Sequence, residues 1–305
     1  MGRLRWLELV ADYRCNNRCL GCFSVSDTLP GMDSREAFAT MKAGRLEGAT
    51  GLWMGGGDPT LRRDLFDLLR AARKLGYRDL KLQTNGMLFA YPEFTERALA
   101  AGLTEVSLHL MDSEAALHDE LAATEGCFDH LLKGLRELRA RDVPVEGDIL
   151  VYQRNLHRIP EIVRFFHGEG VHRFKLWLFS AVDQGGEDLS GEVPRIEEVV
   201  ARLVEALDLG LSDDPAFITS YHTPPCTVPA SHHRALFYPP ELGLMVACPG
   251  GDRFLLETSP MEGGAFLDTC AGCSLRPRCG GPRADYLRIH GGEIFRPPPP
   301  PASRP

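Results

Sequence analysis

Trp6-Leu7-Glu8-Leu9-Val10-Ala11-Asp12-Tyr13-Arg14-Cys15-Asn16-Asn17-Arg18-Cys19-Leu20-Gly21-Cys22 opens with an apolar run and continues into three cysteines packed within eight residues. The run Trp6–Val10 predicts a strand, so the cysteines fall in the loop beyond its C-terminal end. In α/β proteins that end of the sheet is where sites gather. Three thiolates at this spacing can ligate three irons of a 4Fe–4S cluster and leave the fourth iron open for chemistry. Spacing alone leaves two alternatives standing: a zinc loop short of one ligand, or three unrelated buried cysteines.

Outward from this stretch, short apolar runs alternate with helical patterns to about residue 210. Strands are expected at Trp6–Val10, Gly51–Met54, Leu80–Gln83, Glu105–His109, Val145–Val151 and Arg173–Phe179. Between them, apolar residues at three- and four-residue spacing predict helices at Arg35–Leu46, Arg62–Leu75, Pro92–Ala101, Cys127–Arg141 and Ile159–Gly168, with another at Arg195–Leu207. Six such units are too few for a closed eight-stranded barrel. They predict an α/β fold built as a partial (β/α)6 TIM-like barrel, with its site at the C-terminal ends of the strands. After Leu211 the periodicity fades into Pro, Gly and Cys, where neither a packed helix nor a long strand is expected and a metal staple would hold the shape. The expected division is a barrel over 1–210, a small Cys-rich cluster-binding domain over 211–296, and a Pro-rich tail over 297–305 that contains Pro297–Pro301.

With 305 residues, 44% apolar and 25% charged, the composition is that of a folded globular chain. A net charge of −8 argues against a dedicated nucleic-acid binder. The sequence lacks an apolar run of membrane-spanning length, and Arg3, Arg5, Glu8 and Asp12 interrupt any signal-peptide core, so a cytoplasmic protein with no membrane partner is expected. Nine cysteines, an odd number in a chain without a secretion signal, point to metal or redox work rather than to disulfides.

The CxxxCxxC spacing of Cys15, Cys19 and Cys22 after the first strand resembles the signature of the radical S-adenosylmethionine (SAM) enzymes. Gly55-Gly56-Gly57-Asp58-Pro59-Thr60, after the second strand, is similar to that family's GGEP motif, with Asp58 where glutamate is usual. The resemblance implies that the backbone here contacts the methionyl amino group of SAM. Thr84-Asn85-Gly86 resembles the family's TNG element at the end of the third strand. Ser107 and His109, two apart on the fourth strand, share a face, where the resemblance implies contacts to the SAM carboxylate or ribose. His109 equally suits a satisfied core histidine. Between Cys19 and Cys22 the family often carries an aromatic residue; here Gly21 holds that place and Phe23 follows the last cysteine. The resemblance covers roughly residues 4–210. It implies a 4Fe–4S cluster on catalytic Cys15, Cys19 and Cys22, cleavage of SAM to a 5′-deoxyadenosyl radical, and a reducing partner such as flavodoxin or ferredoxin.

Near the C-terminus, Cys270-x2-Cys273-x5-Cys279, preceded by Gly243-x4-Cys248 and Cys226, resembles the auxiliary-cluster domains called SPASM and twitch. The match is partial, because arginine occupies position 283 where the full pattern carries a cysteine. One auxiliary 4Fe–4S cluster is implied, and a twitch-like arrangement would use Cys226, Cys248, Cys270 and Cys273. A zinc site on the same residues is the alternative. Proteins resembling this combination mostly modify peptides or proteins. Because the sequence opens on its first strand, a separate delivery protein is expected to bring such a peptide. Two other readings are a small-molecule pathway enzyme and a non-catalytic iron–sulfur electron-transfer protein. Tyr152, Arg154 and Asp183 are further candidates by their place at strand ends.

Overall fold

A computed structural model describes residues 4–297 apart from 23, 27, 182–186 and 260–263. Phe23, Asp183 and the tail from residue 298 onward therefore lie outside the described residues. The chain runs β1 (Trp6–Asp12), α1 (Ser34–Leu46), β2 (Gly51–Gly56), α2 (Leu65–Leu75), β3 (Asp79–Thr84), α3 (Pro92–Ala100), β4 (Glu105–His109), α4 (Ala115–Ala122), α5 (Cys127–Arg139), β5 (Val145–Val151), α6 (Ile159–Gly168) and β6 (Arg173–Leu178). It continues through α7 (Ile196–Leu207), β7 (Ile218–Ser220), α8 (Pro239–Leu242), β8 (Leu244–Ala247), β9 (Arg253–Leu255) and α9 (Ala284–His290).

The strands form one unclosed sheet in the order β7-β6-β5-β4-β3-β2-β1-β8-β9, parallel throughout except for the β8–β9 pair. This is the partial TIM-like barrel expected from the alternation. Its outward face is the hydrophobic core: Leu7, Leu9, Leu52, Met54, Leu80 and Leu108 are fully buried beneath the helices. Local signals set the helix ends. Asp33 caps α1 by accepting from the Glu36 N–H at 2.8 Å, and Gly76 closes α2 in the left-handed conformation at φ 91°.

The inward face is polar instead. Lys81 lies 2.6 Å from Glu105 and 2.5 Å from Glu146, and Lys175 also pairs with Glu146. Trp6 and Trp53 lie against these ammonium groups, with Lys81 5.4 Å and 5.0 Å from the two ring centres. This charged layer plugs the bottom of the barrel.

Three departures from the sequence reading have physical causes. The expected start of α2 at Arg62 is displaced to Leu65, because Pro59–Leu61 forms a 3-10 turn and the Arg62 guanidinium reaches back to the Ala11 and Met32 carbonyls. Helix α4 was not expected; it supports the loop at 18–20, whose N–H groups of Arg18 and Leu20 bond to the carbonyls of Ala122 and Leu121. The segment after Leu211, expected to hold no packed helix, carries α9, in which Tyr286 is buried with its hydroxyl accepting from the Ile196 N–H at 3.0 Å. That segment also supplies β7 and β8, which extend the barrel sheet at both edges by pairing with β6 and β1.

Candidate active site

Above the charged layer a cavity of about 370 Å³ opens at the C-terminal ends of the strands. Cys15, Cys19 and Cys22 all line it, together with Gly56, Gly57 and Asn85. The loop after β2 is fastened to the cysteine loop through its backbone: Gly57 N–H donates to the Asp12 carbonyl at 2.7 Å and Asp58 N–H to that of Arg14 at 2.8 Å. Close approach explains the glycines. A Cβ on Gly57 would lie 2.2 Å from the Arg14 oxygen, and Gly56 adopts φ +107° with a Cβ position 2.4 Å from the Asp12 oxygen.

Asp58 joins this loop to the turn after β3. Its buried carboxylate accepts from Thr60 N–H at 2.9 Å and Thr60 Oγ1 at 2.5 Å, and from Thr84 Oγ1 at 2.7 Å and Asn85 N–H at 3.1 Å. Asn85 in turn donates to Asn16 Oδ1 at 2.7 Å and lies 3.8 Å from the Cys15 sulfur. Asp58 and Thr84 thus brace the site and Pro59 is buried at the start of the following 3-10 turn, while Gly56, Gly57, Asp58 and Asn85 line the cavity.

The candidates on β4 separate. His109 lines the cavity, whereas Ser107 lies below it and donates to Asp148 at 2.7 Å. Gln83 at 2.9 Å and Trp177 at 3.3 Å donate to the same carboxylate. Gly55 lies on this lower layer, with its Cβ position 3.2 Å from Gln83 Oε1 and 3.3 Å from Glu8 Oε1. Tyr152 donates its hydroxyl to the Leu20 carbonyl at 2.9 Å, pinning the cysteine loop, and Arg154 pairs on the surface with Glu120 and Glu192. Gly21, at φ +62°, faces an aromatic ring from another element. Phe179 occupies the space where its Cβ would stand, 2.5 Å away.

Burial dominates the thiols. It pushes Cys15 up to about 11 and Cys19 up to about 12, and the neighbouring sulfurs add to the rise; Cys22 is raised by burial as well. Such thiols reach the thiolate state by binding metal rather than by titration.

Near the C-terminus, Cys226 is pushed up to about 11 by burial and then by the adjacent Cys279, Cys270 and Cys273, and Cys279 rises through burial and the same two neighbours. The four thiols therefore form one group. Cys248 is not in it: it lines the main cavity, its thiol raised by burial and then by Glu8 and Asp252. Of the residues expected to hold an auxiliary cluster, Cys226, Cys270, Cys273 and Cys279 thus fall near one another, and Cys248 falls apart from them at the main cavity. The reason is that β8 carries residue 248 to the edge of β1, over the barrel mouth.

A single tetrahedral zinc ion at about 2.3 Å from each sulfur holds its thiolates about 3.8 Å apart. Among the described residues, three candidate ligand atoms within 4.8 Å of one another occur at His118, Asp119 and Cys127, not in either cysteine group. Among the described residues, no three sulfurs of either cysteine group lie that close together. The compact trio is already bonded internally. The Cys127 thiol donates to Asp119 at 3.2 Å, and Asp119 accepts from the Gly126 and Phe128 N–H groups at the start of α5.

Sequence reading missed Glu8, Trp53, Asp148 and Trp177. Their signal was the alternation of polar residues along buried strands: Lys81 and Gln83, Glu146 and Asp148, Lys175 and Trp177 point to one face. His118 and Phe179, also unforeseen among the cavity's lining residues, carried no such signal.

Three comparisons bear on identity. The chain is 31% identical over 194 residues to the AdoMet-dependent heme synthase of Methanosarcina barkeri, which covers 63% of this chain and 54% of that one. It is 25% identical over 173 residues to a probable GTP 3′,8-cyclase of Saccharolobus islandicus, covering 56% and 55%. The chain spans about half the length of these relatives. In fold it is similar to Streptococcus suis SuiB bound to its precursor peptide SuiA, with a TM-score of 0.71 at 15% identity over 98% of this chain and 76% of that one. Among the described residues no helix is long and apolar enough to cross a membrane. The family model described as Radical SAM superfamily matches residues 12–166, half of the chain and the part that carries the cysteine loop, the glycine loop and the β3 turn, and the chain belongs to that superfamily.

Proposed function

We propose that the chain is a radical SAM enzyme that modifies a peptide or protein substrate. The observation that carries the enzyme reading is the single cavity of about 370 Å³ shared by Cys15, Cys19, Cys22 and the backbone of Gly56 and Gly57. The three cysteines would hold a 4Fe–4S cluster with one iron left for SAM, a pairing that supplies a 5′-deoxyadenosyl radical for hydrogen abstraction. The protein's own part is positioning and shielding. Asp58 holds the glycine loop to the β3 turn, Tyr152 pins the cysteine loop from β5, and Phe179 packs over Gly21. Apolar residues of β8 and β9, with Leu256, wall the cavity against water.

Cys226, Cys270, Cys273 and Cys279 are assigned to an auxiliary 4Fe–4S cluster, and a flavodoxin- or ferredoxin-like protein to the supply of electrons. We further assign 1–210 to the barrel, extended at its two edges by β7 and β8, and the remainder of 211–296 to the cluster segment. The likeness in fold to SuiB, solved with its precursor peptide, supports the peptide reading. A small-molecule substrate is the second reading, favoured by the likeness in sequence to the heme synthase.

The test is anaerobic reconstitution with iron and sulfide, followed by chromatography for 5′-deoxyadenosine after reduction in the presence of SAM. Wild type forms it and the Cys15/Cys19/Cys22 triple alanine variant does not. Equal amounts from both would sink the assignment.

A further inference from the structure

Beside the barrel mouth lies a second, smaller cavity, which the assignment of SAM and its cluster leaves unused. It measures about 110 Å³ and is lined by the stretch after β7 and by the turn that carries Cys279. Tyr221, Phe237 and Tyr238 give it aromatic walls, and Pro224, Pro225 and Leu275 add apolar surface. These walls are fixed before anything binds. Tyr221 stacks with both Trp177 and Phe237, its ring centre 3.9 and 4.1 Å from theirs. His233 Nε2 lies 3.0 Å from the carbonyls of Pro225 and of Val228, which pins the turn that bears the prolines.

The two cavities abut at His222, which lines both. It follows β7 and is held at φ 62°, in the left-handed region that residues other than glycine rarely adopt. Backbone of that kind persists only where its surroundings fix it, and it gathers at active sites and ligand clamps. The stacked rings mark the same boundary: Trp177 lines the main cavity and its partner Tyr221 lines the smaller one.

Size decides what enters. An apolar cavity of about 150 Å³ holds a single benzene ring. A space of about 110 Å³ with an open mouth takes one side chain, and it is far too small for a nucleotide or for SAM. Aromatic walls favour a ring, through offset and edge-to-face contacts at centroid separations of about 4.5–7 Å.

We infer that this cavity is an anchor subsite that takes one aromatic side chain of the peptide substrate, seating it beside Cys279 while a neighbouring stretch of the same peptide passes His222 into the barrel mouth. The inference rests on the peptide reading of the proposed function and adds a sequence requirement to it: an aromatic residue close along the chain to the residue that is modified. A small molecule confined to the barrel leaves the anchor space empty. A peptide occupies both at once, and joining the two contacts in one chain raises the effective concentration at the second.

The test is fluorine-19 NMR of the anaerobically reconstituted protein with SAM added, using two probes that carry the same reporter: trifluoroacetyl-Gly-Phe-Gly-amide and trifluoroacetyl-Gly-Ala-Gly-amide. The phenylalanine peptide is expected to bind with a Kd of about 1 mM, at least about fivefold more tightly than the alanine peptide. Nothing lies within 4 Å of the Cβ position of Gly280, which lines the cavity, so Gly280→Leu places a side chain there without displacing a neighbour. That variant is expected to bring the phenylalanine peptide down to the alanine level, and Tyr238→Ala to weaken it by about threefold or more, both at unchanged iron and sulfide content. Should Gly280→Leu lose iron, Tyr238→Ala alone decides. Equal affinity of the two peptides, no binding at about 10 mM, or an affinity for the phenylalanine peptide that Tyr238→Ala leaves in place overturns the inference. The same preparation is assayed for 5′-deoxyadenosine. If it forms while the peptides are not told apart, the anchor falls alone; if they are told apart and none forms, the enzyme reading falls and the subsite stands.

Discussion

The Asp58 carboxylate accepts the Thr84 hydroxyl at 2.7 Å, so one buried side chain ties the loop after β2 to the end of β3. Aspartate serves because its other oxygen is already turned toward Thr60 in the same loop, within the reach of a short side chain.

Removing that brace has a predictable cost. Asp58→Ala leaves the buried Thr84 hydroxyl and the Thr60 and Asn85 N–H groups without their acceptor, which is expected to lower stability by about 2–4 kcal/mol and to weaken SAM binding. Chemical denaturation and calorimetric titration with SAM would report the two losses, and unchanged values in both would contradict the brace.

Gly57→Ala is expected to be far more damaging than its chemistry suggests. The added methyl would stand 2.2 Å from the Arg14 oxygen, one residue before Cys15, so the cysteine loop must move and iron loading at that site should fall. Gly168→Ala is the control, since nothing lies within 4 Å of its Cβ position. Iron and sulfide content separates the two.

The proposed grouping of the C-terminal thiols makes a sharp prediction about metal content. Wild type is expected to hold about eight irons, with about four lost in Cys226→Ala and in Cys279→Ala. Cys248→Ala should keep all of them. Loss of about four irons on removing Cys248 would restore the twitch-like assignment.

Buried His118 links stability to pH. Desolvation holds its pKa down at about 4 against an ordinary 6.5, so the unfolded chain takes up a proton that the folded chain refuses. The stability this contributes is full above about pH 6.5 and drains away as pH falls toward 4. Between pH 6.5 and 5.5 the loss is roughly 1 kcal/mol, and His118→Phe should flatten that part of the profile in urea titrations.

Much of this fold was legible because parallel strands buried on both sides leave short apolar runs: Glu105–His109 and Val145–Val151 were expected at the residues where they occur. The C-terminal elements were not. Ile218–Ser220 and Arg253–Leu255 are three residues long, below the window in which any period can be seen, and they are strands only because β6 and β8 offer edges. In the site, the cysteine and glycine loops declared themselves by spacing. The separation of Cys248 from the other C-terminal thiols did not, since it follows from a pairing between residues about 240 positions apart.

That pairing also orders the protein's birth. Strand β1, with the cysteine loop at its end, is synthesised well before its second neighbour β8, which follows about 240 residues later. Until then one flank of β1 is a naked edge, open to pairing with other chains. A fragment ending near residue 210 would carry the cysteine signature without the strand that steadies it.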